Sequence, residues 1–124
     1  MSKRLEPNII LALKLFVKGV VSSPNYPGNY PDNLRRTEII DVEEGRVVAI
    51  EFTAFVVECG SSCPSDHVTI KNDDGTTLME KTCGSSLPAA VTSASNRVEI
   101  YFHTDSSSSR SGWRLTWRAV IPGA

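Results

Sequence analysis

The sequence predicts an all-β protein, an antiparallel β-sandwich of two packed sheets. Apolar and polar residues alternate with a period of two in several short segments, as in Val48, Ile50 and Phe52, which is typical of strands with one buried face. Turns rich in glycine, proline, asparagine and serine separate these segments. No segment after Gly19 has a helical period, so an enzyme fold of alternating strands and helices does not fit.

The length and charge of the chain limit its organisation and its partners. A chain of 124 residues is one domain of ordinary size with room for its own core. Thirteen lysines and arginines against fourteen acids give a net charge of -1, so no overall field attracts the chain to nucleic acid or to an anionic membrane. We expect an N-terminal extension at 1–18, then a β domain at 19–124.

The extension has the outline of a secretory signal peptide, because Lys3 and Arg4 precede an apolar run at 9–17. Lys14 interrupts this run, no small-residue cleavage site follows it, and it is too short to cross a bilayer. The alternatives are an ordered strand or short helix and an artefact of the gene boundary. We favour the ordered element.

The β domain begins with a strand at Val20 and Val21 that enters a rigid loop at 23–33. Three prolines and three asparagines in this loop forbid a helix and require turns. Further strands are predicted at 37–42, 46–53, 67–71, 76–82, 97–103 and 112–118. The residues Asn72 to Gly75 are a hairpin signal between two of these strands. The predicted core residues are Val48, Ile50, Phe52, Val68, Ile70, Val98, Ile100, Phe102, Trp113, Leu115 and Trp117.

Three acids end or follow predicted strands: Glu58, Asp66 and Asp105. Strand ends of a sandwich cluster at the edges of its sheets, and acids that converge there repel one another unless a cation neutralises them. Carboxylate oxygens select calcium or magnesium, and the loop Ser106–Ser109 suits the looser coordination of calcium. Taken one at a time, each acid is more often a solvated loop residue.

The three cysteines, Cys59, Cys63 and Cys83, lack the paired spacing of a structural zinc site. One disulfide bridge and one spare thiol is the simplest arrangement. The count alone suits an oxidising or a reducing compartment.

Several motifs, in order from about Gly19 to Val120, together resemble the CUB domain. They are Ser23–Pro31, Phe52-x-x-Phe-x-x-Glu58, Cys63-x-x-Asp66-x-Val68, Cys83-Gly84, and Phe102-x-x-Asp105 with Ser106–Trp113. The resemblance implies a jelly-roll-like antiparallel β-sandwich found outside the cell, as in complement-activating and tolloid-like proteases, cubilin, neuropilins and spermadhesins. Many members bind calcium at one end of the sandwich and hold a protein partner there.

The resemblance also implies roles for individual residues. Glu58, Asp66 and Asp105 look like the side-chain calcium ligands, and Ser107 matches a position that gives a carbonyl ligand. Tyr30 looks like the residue whose hydroxyl supports the acids, and Ser108 matches a position often filled by asparagine.

The cysteines and one aromatic position depart from the family pattern. Arg36 stands where the second cysteine of an earlier disulfide is expected, and Glu38 stands where a tryptophan is usual. By resemblance Cys63 and Cys83 form the remaining disulfide. Chain entropy predicts that such a bond stabilises the fold by roughly 3 kcal/mol. Cys59 has no counterpart, and it could bridge to a second chain, compete with Cys63, or be a small buried residue; we favour the last.

These residues lead to the hypothesis of a secreted, non-catalytic module for protein–protein interaction. Calcium would order the acidic loops, and outward oxygens of Glu58 and Asp105 would pair with a lysine or arginine of the partner. Tyr26 or Tyr30 would lie beside that contact.

The alternatives are a second kind of binding and catalysis. Spermadhesin-like binding of sulfated glycans, heparin or phospholipid could use the arginines Arg110, Arg114 and Arg118, although outward arginines are usually only solvated. Acid–base catalysis would need His67 and His103, which we expect on a solvated strand face. No nucleophile elbow or metalloprotease helix occurs, so we expect no enzyme.

Overall fold

The computed structural model describes residues 16–60 and 65–123, and all regular elements in these ranges are strands. They are β1 (Lys18–Ser22), β2 (Arg35–Asp41), β3 (Val47–Val56), β4 (His67–Asn72), β5 (Thr77–Thr82), β6 (Val91–Thr92), β7 (Arg97–His103) and β8 (Gly112–Val120). Each predicted strand is present, and β6 is an addition. Residues 1–15, most of the predicted N-terminal extension, lie outside the described residues. Within the described part, no helix is long and apolar enough to span a membrane.

The strands form two four-stranded sheets, in the orders β1-β8-β3-β6 and β2-β7-β4-β5. Every paired neighbour is antiparallel, so the predicted antiparallel β-sandwich is confirmed. Strands from opposite ends of the chain lie side by side, because Lys18 of β1 pairs with Arg118 of β8. At the other end of β8, Arg114 pairs with Ser22 and Gly112 pairs with Val56 of β3, so the loops that follow β1, β3 and β7 lie near one another.

The core lies between the sheets and consists of the inward residues of each strand. All eleven predicted core residues are buried, and Trp113 packs edge-on against Phe52 and Phe102 at centroid distances of 6.1 and 5.8 Å. Tyr30, from the loop after β1, joins the same cluster and contacts Phe102 edge-on at 4.9 Å. The loop at 23–33 is therefore anchored by a core aromatic ring.

The start of β8 is fitted to this loop through a glycine. Gly112 has a φ of 91°, and a Cβ at this position would collide with the Ser23 side chain. Ser23 Oγ accepts a hydrogen bond from the Trp113 backbone N–H at 3.0 Å. The close approach of the two backbones thus requires glycine.

The two positions that depart from the family pattern contact each other. Arg36 Nε lies 2.6 Å from Glu38 Oε2 on β2, with side-chain exposures of 54 and 31%. A partly exposed ion pair contributes little to stability, so it replaces neither a disulfide nor a buried tryptophan energetically.

Candidate functional site

Two loops dock on each other at one end of the sandwich. The Tyr30 backbone N–H donates to the Arg110 carbonyl at 3.0 Å, and the Asn33 N–H donates to the Asp105 carbonyl at 2.7 Å. The buried Thr104 hydroxyl adds a third link, because it donates to the Pro31 carbonyl at 2.8 Å. The loop after β1 and the loop between β7 and β8 therefore have a fixed relation, and sequence reasoning had not identified Thr104 as part of it.

Tyr30 connects two of the three candidate acids through its hydroxyl. The side chain is 2% exposed, and the hydroxyl donates to Asp66 Oδ2 at 2.7 Å. The Tyr30 hydroxyl oxygen also accepts a hydrogen bond from the Glu58 backbone N–H at 3.0 Å. Burial raises the pKa of this hydroxyl well above its usual range, so it remains a protonated donor.

Asp66 is the most buried of the acids, with no exposed surface. Its Oδ1 accepts the Asp105 backbone N–H at 2.8 Å, and its own N–H donates to the Glu58 carbonyl at 3.3 Å. Burial raises the pKa of the Asp66 carboxyl, the hydrogen bonds from Tyr30 and Asp105 oppose this shift, and the nearby Asp105 charge adds to it. A network centred on Asp66 thus links the backbones of Glu58 and Asp105.

The side chains of the other two acids are engaged differently. Glu58 Oε1 lies 2.6 Å from Arg110 Nη2, and Glu58 Oε2 accepts the Gly60 N–H at 3.1 Å. Asp105 Oδ1 accepts the Ser107 N–H at 3.1 Å. In the described ranges, no three histidine, cysteine or acidic side chains are grouped as metal ligands. Asp66 and Asp105 are near each other, whereas the Glu58 side chain is held by Arg110.

The groups around Asp66 suit a hard cation. Within the described residues, each Asp66 oxygen accepts one hydrogen bond, whereas a carboxylate has about four lone-pair sites. The nearby Asp105 carboxylate and the carbonyls of the following loop are oxygen donors as well. Hard oxygens of this kind are ligands for calcium or magnesium.

The disulfide differs from the predicted one. Cys59 is bonded to Cys83, with their Cα atoms 5.3 Å apart, so the predicted pairing of Cys63 with Cys83 is wrong, and so is the spare thiol assigned to Cys59. Cys63 lies outside the described residues. The reason is local: Val57 and Gly84 pair as an antiparallel bridge with hydrogen bonds of 2.9 and 2.7 Å, which brings Cys59 within reach of Cys83. The bond therefore anchors the residue directly after Glu58.

The remaining predicted residues lie around the network. Ser107 and Ser108 are exposed; Ser108 has a φ of 66°, and its carbonyl accepts from Arg110. Tyr26 is half-buried, whereas burial leaves the Tyr30 ring almost no surface for a partner. Of the two tyrosines, Tyr26 therefore has the more accessible side chain.

The three arginines proposed for glycan binding do not form one strip. Arg110 contacts Glu58, whereas Arg114 and Arg118 lie on β8, where Arg114 Nη1 contacts Thr53 Oγ1 at 3.0 Å. The exposed Lys18 is the cross-strand partner of Arg118, a proximity that depends on sheet register and that the sequence had not suggested.

The two histidines pair across strands β4 and β7. His67 and His103 are register partners with stacked rings 5.1 Å apart. His67 is only 9% exposed, so the expectation of a solvated position was wrong for this residue. It lines a shallow groove of about 420 Å³ on the outer face of the sheet, together with Tyr101 and Lys71.

Comparison with known proteins gives a family match over most of the chain. Residues 15–117 match the family model described as CUB domain. Cubilin from Sus scrofa is 35% identical over 107 residues, which cover 85% of this chain and 3% of that protein. Blastula protease 10 from Paracentrotus lividus is 38% identical over 103 residues, which cover 83% of this chain and 17% of that protein. The chain thus spans less than a fifth of either relative.

A solved structure is similar in both fold and sequence. The crystal structure of the MASP-1 CUB2 domain bound to Ca²⁺ superposes with a TM-score of 0.76 at 34% identity, covering 84% of this chain and 94% of that chain.

Proposed function

Because the chain belongs to the CUB domain family, whose members are non-catalytic modules of protein interaction, we propose that it is an extracellular binding module with a calcium site formed around Asp66. The observation that carries this proposal is the buried Asp66 carboxylate, held by the Tyr30 hydroxyl at 2.7 Å and the Asp105 N–H at 2.8 Å. The likeness to a CUB domain bound to Ca²⁺ supports the choice of cation. The Cys59–Cys83 disulfide fits the oxidising conditions outside the cell.

The ligands would be Asp66, Asp105 and Glu58 through their carboxylates and Ser107 through its carbonyl. When bound, calcium supplies a double positive charge that neutralises the acids. Tyr30 keeps Asp66 in one orientation, and the Asp105 backbone is held by its bond to the same carboxylate. These fixed backbones lower the ordering cost of binding, because less conformational freedom remains to be lost.

The partner would contribute a lysine or arginine side chain. The carboxylates of Glu58 and Asp105 are only partly buried, so each can offer an oxygen to a charge-assisted hydrogen bond from a second protein. Tyr26, half-buried in the adjoining loop, offers apolar surface next to that contact. A preordered acidic surface of this kind recognises a basic residue with little rearrangement.

A second candidate function rests on the outer face of the β1-β8 sheet. Lys18 and Arg118, both exposed, are cross-strand partners, and Arg114 lies on the same strand. Cations placed directly opposite each other repel, and an anionic ligand such as a sulfated glycan or a phospholipid headgroup would relieve this repulsion. Glu51, paired with Thr116 on this face, reduces the local charge, so the candidate stays second. Retention on a heparin column measures the binding of an anionic glycan to this face.

The calcium proposal is tested by calorimetry and thermal unfolding. If calcium binds with a dissociation constant of about 1 mM, typical of extracellular modules, then 10 mM calcium stabilises the wild type by about 1.4 kcal/mol. This corresponds to a rise of about 6 °C in Tm for a domain of this size. We expect Asp105→Ala to lose both the heat of binding and the rise in Tm. Glu44→Ala, an exposed acid in the turn before β3, should keep both. A wild type that neither binds nor is stabilised would refute the proposal.

A further inference from the structure

The backbone and the side chain of Glu58 are held by different parts of the site. Its N–H donates to the Tyr30 hydroxyl at 3.0 Å, and its carbonyl accepts the Asp66 N–H at 3.3 Å, so the backbone belongs to the network around Asp66. The side chain instead contacts Arg110, with Oε1 to Nη2 at 2.6 Å. The backbone of Glu58, the third candidate ligand, is thus already part of the site, while its carboxylate is bound to Arg110.

Arg110 makes more than one contact through its guanidinium. Nη1 donates to the Ser109 carbonyl at 3.1 Å and the Ser108 carbonyl at 3.3 Å, while Nη2 contacts Glu58. The Arg110 guanidinium therefore contacts one carboxylate oxygen, from Glu58, and two carbonyl oxygens from the loop between β7 and β8. The Arg110 carbonyl accepts the Tyr30 N–H at 3.0 Å, which fixes the point from which this side chain extends.

We propose that Arg110 is an internal counter-cation that holds Glu58 away from Asp66 and Asp105, so that calcium must displace it from Glu58 in order to bind. This inference rests on the calcium site proposed above. The contacts support it, because the backbones of the three acids are already linked, whereas the Glu58 carboxylate is bound to Arg110. Calcium binding should therefore free Nη2 of Arg110 from Glu58.

The expected effect is a change in calcium affinity without loss of the site. Arg110→Gln removes the competing charge and a repulsion between two cations close together, so calcium should bind about three- to tenfold more tightly. The Arg110 side chain is 49% exposed, and solvent screening keeps the expected change at this modest size. In EDTA the same variant should unfold at a lower temperature than the wild type, because Glu58 loses its partner.

The matched control is Arg114→Gln, which removes an equal charge from β8, where Arg114 contacts Thr53. Calcium titrations by calorimetry should give this variant the wild-type dissociation constant. Arg110→Lys is the second variant, because a lysine cannot contact Glu58 and the two carbonyls with a planar fork, and it should bind calcium with intermediate affinity. It also keeps the test decisive if Arg110→Gln does not fold.

A further variant, Glu58→Gln, removes the acceptor for which the two cations compete. Adding Arg110→Gln to Glu58→Gln should then tighten calcium binding by less than Arg110→Gln does in the wild type, because only the repulsion between the two cations is left to remove. If the wild type binds calcium but neither Arg110 variant binds it more tightly, the competition is refuted and the calcium site stands. Tightening of equal size in Arg114→Gln would refute it as well, because the effect would then be one of total charge. If the wild type and all variants fail to bind, both proposals fall together.

Discussion

Replacing Tyr30 by phenylalanine tests whether its hydroxyl is the central support of the acidic site. The substitution keeps the ring that packs on Phe102 and removes one oxygen that makes two hydrogen bonds, one buried and one partly buried. In the variant, Asp66 Oδ2 loses the hydroxyl that it accepts at 2.7 Å, and the Glu58 N–H loses its acceptor at 3.0 Å. The change is therefore confined to hydrogen bonding.

The expected magnitude follows from the two bonds that are lost. A hydrogen bond to a charged group contributes about 1.5–3 kcal/mol and a neutral one about 0.5–1.5 kcal/mol, so Tyr30→Phe should reduce the free energy of unfolding by about 3 kcal/mol. That is a large part of the roughly 5–15 kcal/mol that stabilises a typical domain. At about 4 °C per kcal/mol, Tm should fall by about 12 °C.

Urea denaturation followed by tryptophan fluorescence, in EDTA, measures this loss. Tyr26→Phe is the matched control, because it removes the same hydroxyl from the same loop at a residue that is only half-buried. Its stability should stay within about 0.5 kcal/mol of the wild type. A loss no greater for Tyr30→Phe than for Tyr26→Phe would contradict the role given to the Tyr30 hydroxyl.

Two other predictions concern the disulfide and the basic face. The bond between Cys59 and Cys83 closes a separation of 24 residues, so Cys83→Ser should cost about 3.5 kcal/mol by chain entropy, whereas Cys63→Ser leaves this bond intact and should cost less than Cys83→Ser. Peptide mapping without reduction should recover Cys59 linked to Cys83, and a Cys63–Cys83 peptide would refute the pairing. For heparin, Arg118→Ser should lower the salt concentration of elution more than Arg36→Ser, which removes an equal charge from the other sheet. Equal shifts for the two variants would mean that only net charge acts.

Most of the fold could be predicted from the sequence because its signals are local. The alternation of Val48, Ile50 and Phe52 follows from the geometry of a single strand with one buried face, and the turn before Gly75 follows from residue preferences. Strand β6 was not predicted, since two residues are too few to show a period. The order of strands in each sheet depends on pairings between distant segments, which no local pattern contains.

Positions at strand ends indicate the three acids, and a resemblance of motifs indicates their roles and the other site residues. Neither predicts the contacts between the side chains. The disulfide is the clearest case: the motif gave Cys63 the role, whereas the bridge between Val57 and Gly84 places Cys59 beside Cys83. The burial of His67 could not be predicted either. Strand alternation assigns a residue to a face of the sheet and does not say what covers that face. The ion pair of Arg110 with Glu58 joins residues 52 positions apart, and no spacing in the sequence indicates it.

The contacts at the acidic end suggest how its free energy is divided between folding and binding. Asp66 carries no exposed surface, yet it is held by a tyrosine from the core and by a backbone N–H, so folding alone fixes its position. Glu58 shares that backbone network, while its carboxylate is neutralised by Arg110. A site with all three carboxylates already converged would concentrate negative charge and destabilise the metal-free fold. If calcium binds as proposed, diverting one carboxylate to an arginine lowers that cost, and the free energy of breaking the ion pair reduces the affinity for calcium. A weak calcium site would then be the physical consequence of a stable metal-free fold.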